Sequence, residues 1–143
     1  MHKEAWIFTQ ANYEKVKQKT GYQWLGNLPA TKDDAANAKM IAMGMGILEP
    51  NIFHITDKDV SYHKSFFQKK MIELRDRNIH GKRSFLMVYV SGHGVWDNRQ
   101  HYVLNVDTEV NMISIERLLR AIASESITNV LVFYDSCRSE KSG

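Results

Sequence analysis

FLMVYVSGHG, residues 85–94, sets six apolar residues without a charge directly before a histidine flanked by glycines. A run of six is shorter than most helices and is typical of a β-strand covered on both faces. NVLVFY, residues 129–134, has the same character and is followed by Asp135, Ser136 and Cys137. Both predicted strands therefore end in residues that can carry chemistry.

Weaker patterns elsewhere in the chain predict the remaining elements. Apolar or alternating runs predict strands at residues 5–10 and 51–56 and a short exposed strand at 101–106. The polar, glycine-containing stretch 12–27 is predicted to be a long loop. Apolar residues at helical spacing predict three helices: from Thr31 to Gly44 or Gly46, from about Phe67 to Ile79, and from Ser114 to Ser126.

Strands and helices thus alternate along the chain, which predicts an α/β sandwich with a mainly parallel sheet and helices on both faces. The 143 residues contain no repeat and no linker, so we expect a single domain over residues 1–143. In such sheets reactive groups gather beyond the carboxyl ends of the strands. Neighbouring strands would bring His93 and Cys137, 44 residues apart, to the same edge.

His93 and Cys137 have the chemistry of a base and its nucleophile. Each is weak alone, because a cysteine after a strand usually packs in the core and a histidine in a glycine-rich loop is usually solvated. Together they predict a dyad, since an imidazolium stabilises the reactive thiolate and can protonate a leaving amine. We expect Gly92 and Gly94 to let the chain turn tightly, leaving the Gly94 N–H as an oxyanion donor together with the Cys137 N–H.

At this point the chain resembles the large-subunit (p20-like) domain of the caspase and metacaspase clan. The stretch AWIFTQANYEKV, residues 5–16, resembles the first strand and its loop, and LPATKDDAANAKMIAMGMGI, residues 28–47, resembles the next helix. FLMVYVSGHG resembles the histidine strand and VLVFYDSCRS, residues 130–139, the nucleophile strand. The resemblance implies a caspase-like three-layer sandwich and a cysteine endopeptidase of a clan associated with programmed cell death, with His93 as base and acid and Cys137 as nucleophile.

The residues beside the nucleophile imply the substrate preference. Caspases carry Gln-Ala-Cys before Arg or Gln, whereas Asp135-Ser136-Cys137 is similar to metacaspases, in which this aspartate helps build an acidic S1 pocket. Caspases also bind a P1 aspartate with an arginine from the loop before the first helix, and no arginine occurs here between Tyr13 and Asp34. The resemblance therefore favours cleavage after Arg or Lys.

In this clan a smaller p10-like part completes the fold, and the sequence ends shortly after its nucleophile. We expect residues 139–143 to begin the connection to a p10-like small subunit or C-terminal half, and protein or peptide substrates to be the other partners. The alternative is a catalytically inactive caspase-fold scaffold that binds a partner through the open sheet edge after Tyr134. A receiver-like domain is disfavoured, because its acidic cluster is missing from the strand ends.

Composition disfavours other classes of function. The net charge of +3 is not gathered into a basic stripe, which disfavours nucleic-acid binding, and no stretch is apolar enough to cross a membrane. One cysteine without a disulfide framework predicts a reducing, cytoplasmic setting. No cofactor or structural zinc is expected, and four histidines are expected at the surface or in supporting positions: His54, His63, His80 and His101.

Two further sets of side chains, aspartates and methionines, have structural explanations that compete with a functional one. Calcium activation occurs among metacaspases, and oxygen ligands suit calcium, but helix capping and solvation explain the candidate aspartates equally well: Asp33, Asp34, Asp57 and Asp59. Five methionines are expected to fill core positions: Met40, Met43, Met45, Met71 and Met87.

Overall fold

The computed structural model describes residues 1–23, 26–28, 31–58, 60–97, 100–104, 112–114, 120 and 128–140. Its elements, in chain order, are β1 (His2–Thr9), α1 (Glu14–Thr20), α2 (Thr31–Gly44), a 3₁₀ turn (Glu49–Asn51), β2 (Ile52–Thr56), α3 (Val60–Ile79), β3 (Ser84–Asp97), β4 (Gln100–Leu104), β5 (Met112–Ser114) and β6 (Thr128–Glu140).

Four strands form a parallel sheet in the order β2-β1-β3-β6. Strand β3 is its longest member: it pairs with β1 along residues 84–91 and with β6 along residues 84–96. Beyond the end of β1, residues 94–97 of β3 pair with antiparallel β4, which in turn pairs with β5. The mainly parallel sheet that the alternating pattern predicts is confirmed.

Both faces of the sheet are covered by helices, because alternate residues of each strand point to opposite sides. On one face Leu86 and Val88 of β3 pack in a buried cluster with Leu74 of α3. On the other face Met87 packs in a second cluster with Ala38 of α2. The charge-free run 85–90 is therefore buried on both sides, as its composition predicts.

A buried ion pair joins the first strand to α3. The Lys70 ammonium lies 3.1 Å from Glu4 Oε1 and 3.1 Å from Glu73 Oε2, and 3.6 Å from the centroid of the Phe53 ring. The second Glu4 oxygen accepts a hydrogen bond of 2.5 Å from Trp6 Nε1. Lys70 and Glu4 are both buried, so charge and hydrogen bonds are satisfied within the core.

Two element predictions need correction. Residues 12–27 are not one loop, because α1 forms at Glu14–Thr20 around the buried Val16 and ends at Gly21, whose φ of 72° suits glycine. The segment SGHG does not turn: Gly92 and Gly94 are inside β3, since pairing with β4 and β6 extends the strand past the apolar run.

The other predicted elements form, with three changes of boundary: α3 begins at Val60, before the predicted start near Phe67, β6 continues past Tyr134 to Glu140, and Ser114 belongs to a strand. Strand β4 covers the first four residues of the strand predicted at 101–106, and residues 105 and 106 lie outside the described residues. Most of the helix predicted over 114–126 also lies outside them; Arg120 is helical, whereas Ser114 ends β5.

Two side-chain predictions are wrong. Met40 and Met43 are 71% and 50% exposed, because Ala35, Ala38 and Ala42 form the buried face of α2. His63, expected at the surface or in a supporting position, is buried, with its ring 5.7 Å from the Phe8 ring and its Nε2 2.9 Å from Gln10 Nε2. Met87 is fully buried, as expected. None of the helices described is long and apolar enough to span a bilayer.

Candidate active site

The carboxyl ends of β3 and β6 bring the two predicted reactive residues together. The parallel ladder pairs His93 with Cys137, and two positions earlier it pairs Ser91 with Asp135. Adjacent strands lie about 4.8 Å apart, so the ladder makes His93 and Cys137 direct neighbours in the sheet backbone. The side chain of Cys137 lies outside the described part of the structure.

The His93 ring is oriented by a main-chain carbonyl. Its Nε2 lies 2.7 Å from the Gly26 oxygen, in the segment that precedes α2. A carbonyl oxygen only accepts hydrogen bonds, so Nε2 carries a proton in this arrangement. In the neutral ring of this tautomer Nδ1 is the acceptor nitrogen.

A buried tyrosine holds His93 from the side of β1. The His93 N–H donates to the Tyr13 hydroxyl at 3.0 Å, and the two rings meet edge to face with centroids 4.7 Å apart. Tyr13 is fully buried, and its own N–H donates to Asn27 Oδ1 at 3.0 Å. Burial raises the pKa of the Tyr13 phenol well above its ordinary value, so the hydroxyl stays protonated.

Two carboxylates flank the same edge of the sheet. The Tyr89 hydroxyl donates to Asp135 Oδ2 at 3.2 Å, and the Ser91 hydroxyl donates to Asp34 Oδ2 at 3.3 Å. Burial raises the pKa of Tyr89, and the negative charges of Asp34 and Asp135 raise it further. Tyr89 thus lies within the field of both carboxylates, one from α2 and one from β6.

The family resemblance implies Asp135 as a residue of this edge, whereas Asp34 is expected from the sequence only as a helix-capping or calcium residue. The period-two alternation of β3 was a usable signal, because Tyr89, Ser91 and His93 share one parity and hence one face. Tyr13 and Gly26 had no comparable signal, since their approach to His93 depends on how the two segments flanking α1 fold back on the sheet.

Three of the calcium candidates, Asp33, Asp34 and Asp57, lie within the described residues, and Asp34 already accepts the Ser91 hydroxyl. Asp57 instead caps the loop after β1, accepting hydrogen bonds from the N–H groups of Ala11 at 2.7 Å and Asn12 at 3.2 Å. Within the described ranges, no group of three or more His, Cys, Asp or Glu side chains is arranged to hold a metal ion. Asp59 lies outside these ranges, and calcium activation stays a prediction.

Comparison with known proteins identifies a family for the chain. The family model described as the caspase domain matches residues 3–143, which is nearly the whole chain. No curated protein sequence matches the chain.

Proposed function

The chain belongs to the caspase domain family of peptidases, and we propose that it is a cysteine endopeptidase in which Cys137 is the nucleophile and His93 the base. The observation that carries this proposal is the ladder partnership of His93 and Cys137. It is supported by the bond from His93 Nε2 to the Gly26 carbonyl, which leaves Nδ1 to exchange a proton with the thiol. A neighbouring imidazolium favours the thiolate, which is the reactive form.

The reaction follows from these positions. His93 takes the thiol proton, and the thiolate attacks the carbonyl carbon of the scissile peptide bond, placing negative charge on the carbonyl oxygen. The Gly94 and Cys137 main-chain N–H groups stay the predicted donors to that oxyanion, although Gly94 lies between β4 and β6 in the sheet and its N–H would have to leave the ladder to bind it; one such donor typically contributes about 3 kcal/mol. The C–N bond then breaks as the imidazolium protonates the amine, leaving a thioester. Water, deprotonated by His93, hydrolyses the thioester and releases the thiol.

The preferred P1 residue in this proposal is Arg or Lys. Asp135 and Asp34 approach the carboxyl edge of the sheet from two different elements, and Tyr89 and Ser91 hold one oxygen of each. A carboxylate about 4 Å from a P1 cation attracts it by roughly 4 kcal/mol at an effective dielectric near 20, before desolvation is subtracted. The same charges would repel a P1 aspartate.

Full activity in this proposal needs a p10-like portion, with residues 1–143 acting as one p20-like unit. Strand β6 pairs with β3 on one side, and no strand among the described residues pairs with its other side. Its Leu131 is 36% exposed. An unpaired strand edge is a template for a further strand, and a p10-like portion paired there would bury the outer side of the nucleophile strand.

Covalent probes test the proposal. With the p10-like portion present, an acyloxymethyl ketone directed at P1 arginine should label the wild-type chain, and Cys137→Ala and His93→Ala should abolish labelling. Labelling that survives Cys137→Ala contradicts the assignment of the nucleophile. A preference for the matched P1 aspartate probe contradicts the acidic pocket. The alternative is supported if neither probe labels the chain and cells that carry Cys137→Ala have the wild-type phenotype. The chain would then be a catalytically inactive scaffold.

A further inference from the structure

We propose that Tyr13 is a positioning residue for His93, holding both its main chain and its ring in the orientation that the dyad requires. This inference rests on the proposed function and names a residue outside the dyad that controls how well the dyad works. Tyr13 does not touch the reacting atoms; it acts through the histidine.

Two separate contacts join the residues, which lie 80 positions apart. The Tyr13 hydroxyl accepts a hydrogen bond from the His93 main-chain N–H at 3.0 Å. This bond fixes the position of the His93 main chain relative to Tyr13. The Tyr13 ring meets the imidazole at an interplanar angle of 70°, which limits rotation of the histidine side chain. An edge-to-face contact between aromatic rings is favourable in itself. The face of an aromatic ring also attracts a cation, such as a protonated imidazole.

Tyr13 can do this because the two segments flanking α1 hold it rigidly. Its N–H is bound by Asn27 Oδ1, and the Leu28 N–H donates to the Ala11 carbonyl at 2.9 Å. Both bonds tie residues 11–13 to the segment 26–28, which also carries the Gly26 carbonyl that accepts from His93 Nε2. The two linked segments, 11–13 and 26–28, therefore hold His93 at two points: Tyr13 binds its main-chain N–H and Gly26 binds its ring nitrogen.

The phenol is suited to this role because it is fully buried and stays neutral. A neutral hydroxyl accepts the N–H without placing a charge beside the imidazole. Phenylalanine would keep the ring contact but leave the N–H without this acceptor, whereas leucine would remove both contacts. The two substitutions therefore separate the hydroxyl from the ring.

The test uses the pH dependence of iodoacetamide alkylation, since Cys137 is the only thiol in the chain and the cysteine adduct therefore reports on it alone. Wild type, Tyr13→Phe, Tyr13→Leu and His93→Ala are compared as folded proteins. The matched control is Val16→Ala, which truncates another fully buried residue of the same region without touching His93. Thermal unfolding of each variant measures stability separately.

We expect Tyr13→Phe to slow alkylation at pH 7 about threefold, consistent with loss of one neutral hydrogen bond. Tyr13→Leu should slow it about tenfold and move the profile toward that of His93→Ala. Val16→Ala should lower the melting temperature and leave the profile unchanged. A Tyr13→Phe profile that superimposes on wild type overturns the inference, whether or not Tyr13→Leu folds.

The proposed function fails in a different way. If His93→Ala alkylates with the wild-type profile, the dyad itself is wrong. If His93→Ala shifts the profile and Tyr13→Phe does not, the dyad stands and only the role of Tyr13 is lost.

Discussion

The phenol of Tyr89 on β3 donates a hydrogen bond of 3.2 Å to Asp135 on β6, one position beyond the last apolar residue of that strand. This bond orients a carboxylate that the ladder places two residues before Cys137. Ser91 orients Asp34 from α2 in the same way. The acidic edge of the sheet is thus assembled from three elements, each of which contributes to the proposed choice of P1 residue.

Removing either carboxylate should weaken cleavage after basic residues. We expect Asp135→Asn and Asp34→Asn each to lower kcat/KM for P1 arginine substrates about tenfold. That loss is about 1.4 kcal/mol, a fraction of the roughly 4 kcal/mol attraction before desolvation. Asp33→Asn, an exposed neighbour on the first turn of α2, is the matched control and should keep wild-type kinetics. Equal losses in Asp33→Asn and Asp34→Asn would contradict a specific pocket.

Tyr13 should make the protein less stable in alkali. The free phenol ionises near pH 10.0 in the unfolded chain, while burial keeps the folded phenol neutral. Above that pH the unfolded state binds fewer protons than the native state, so the free energy of unfolding falls by about 1.4 kcal/mol per pH unit; below it the contribution is fully present. Urea unfolding between about pH 9 and 11 measures the slope.

In that measurement Tyr13→Phe should reduce the alkaline slope by about one proton, because phenylalanine has no proton to lose, while Tyr89, whose pKa is also raised, keeps its own contribution. The exposed Tyr22 gives the control, Tyr22→Phe, which should leave the slope as in wild type. If both variants keep the same steep slope, Tyr13 is not the group responsible.

The buried ion pair predicts a large stability loss when one partner is removed. Lys70→Ala leaves the Glu4 carboxylate in the core without its cation, which typically costs about 3–5 kcal/mol. The double variant Glu4→Gln, Lys70→Ala should lose less than the sum of the single variants Glu4→Gln and Lys70→Ala, because no lone buried charge remains. Urea unfolding of all three measures the coupling, with Lys69→Ala on the exposed side of α3 as control. Strict additivity would mean that the pair does not interact.

The small residues of α2 predict a size limit at its contact with the sheet. Ala38 is fully buried against that face, so Ala38→Leu should cost about 1–3 kcal/mol of stability by overpacking. Because α2 carries Asp34, its displacement should also reduce cleavage after arginine. Ala36→Leu, on the exposed side of the same helix, should change neither property. Thermal unfolding and kcat/KM measured on both variants decide the point.

Much of the fold could be read from the sequence by itself. Charge-free runs and period-two alternation predict the parallel strands, and helical spacing predicts α2 and α3. These patterns are informative because apolar residues mark the face of each element that is buried. The strand ends also predict which residues carry the chemistry, His93 and Cys137. Local pattern failed where pairing extends an element: β3 runs through SGHG because β4 and β6 supply hydrogen-bond partners that no local window contains.

Only the tertiary structure decided which residues meet. The strand register that pairs His93 with Cys137, the approach of Asp34 to Ser91 and the support of His93 by Tyr13 join positions 44 to 80 apart in the chain. These contacts depend on strand register and on how two short segments fold back over the sheet edge. Hydrophobic periodicity predicts neither the register nor this folding back, because it reports which face of one element is buried and not where two elements lie relative to each other.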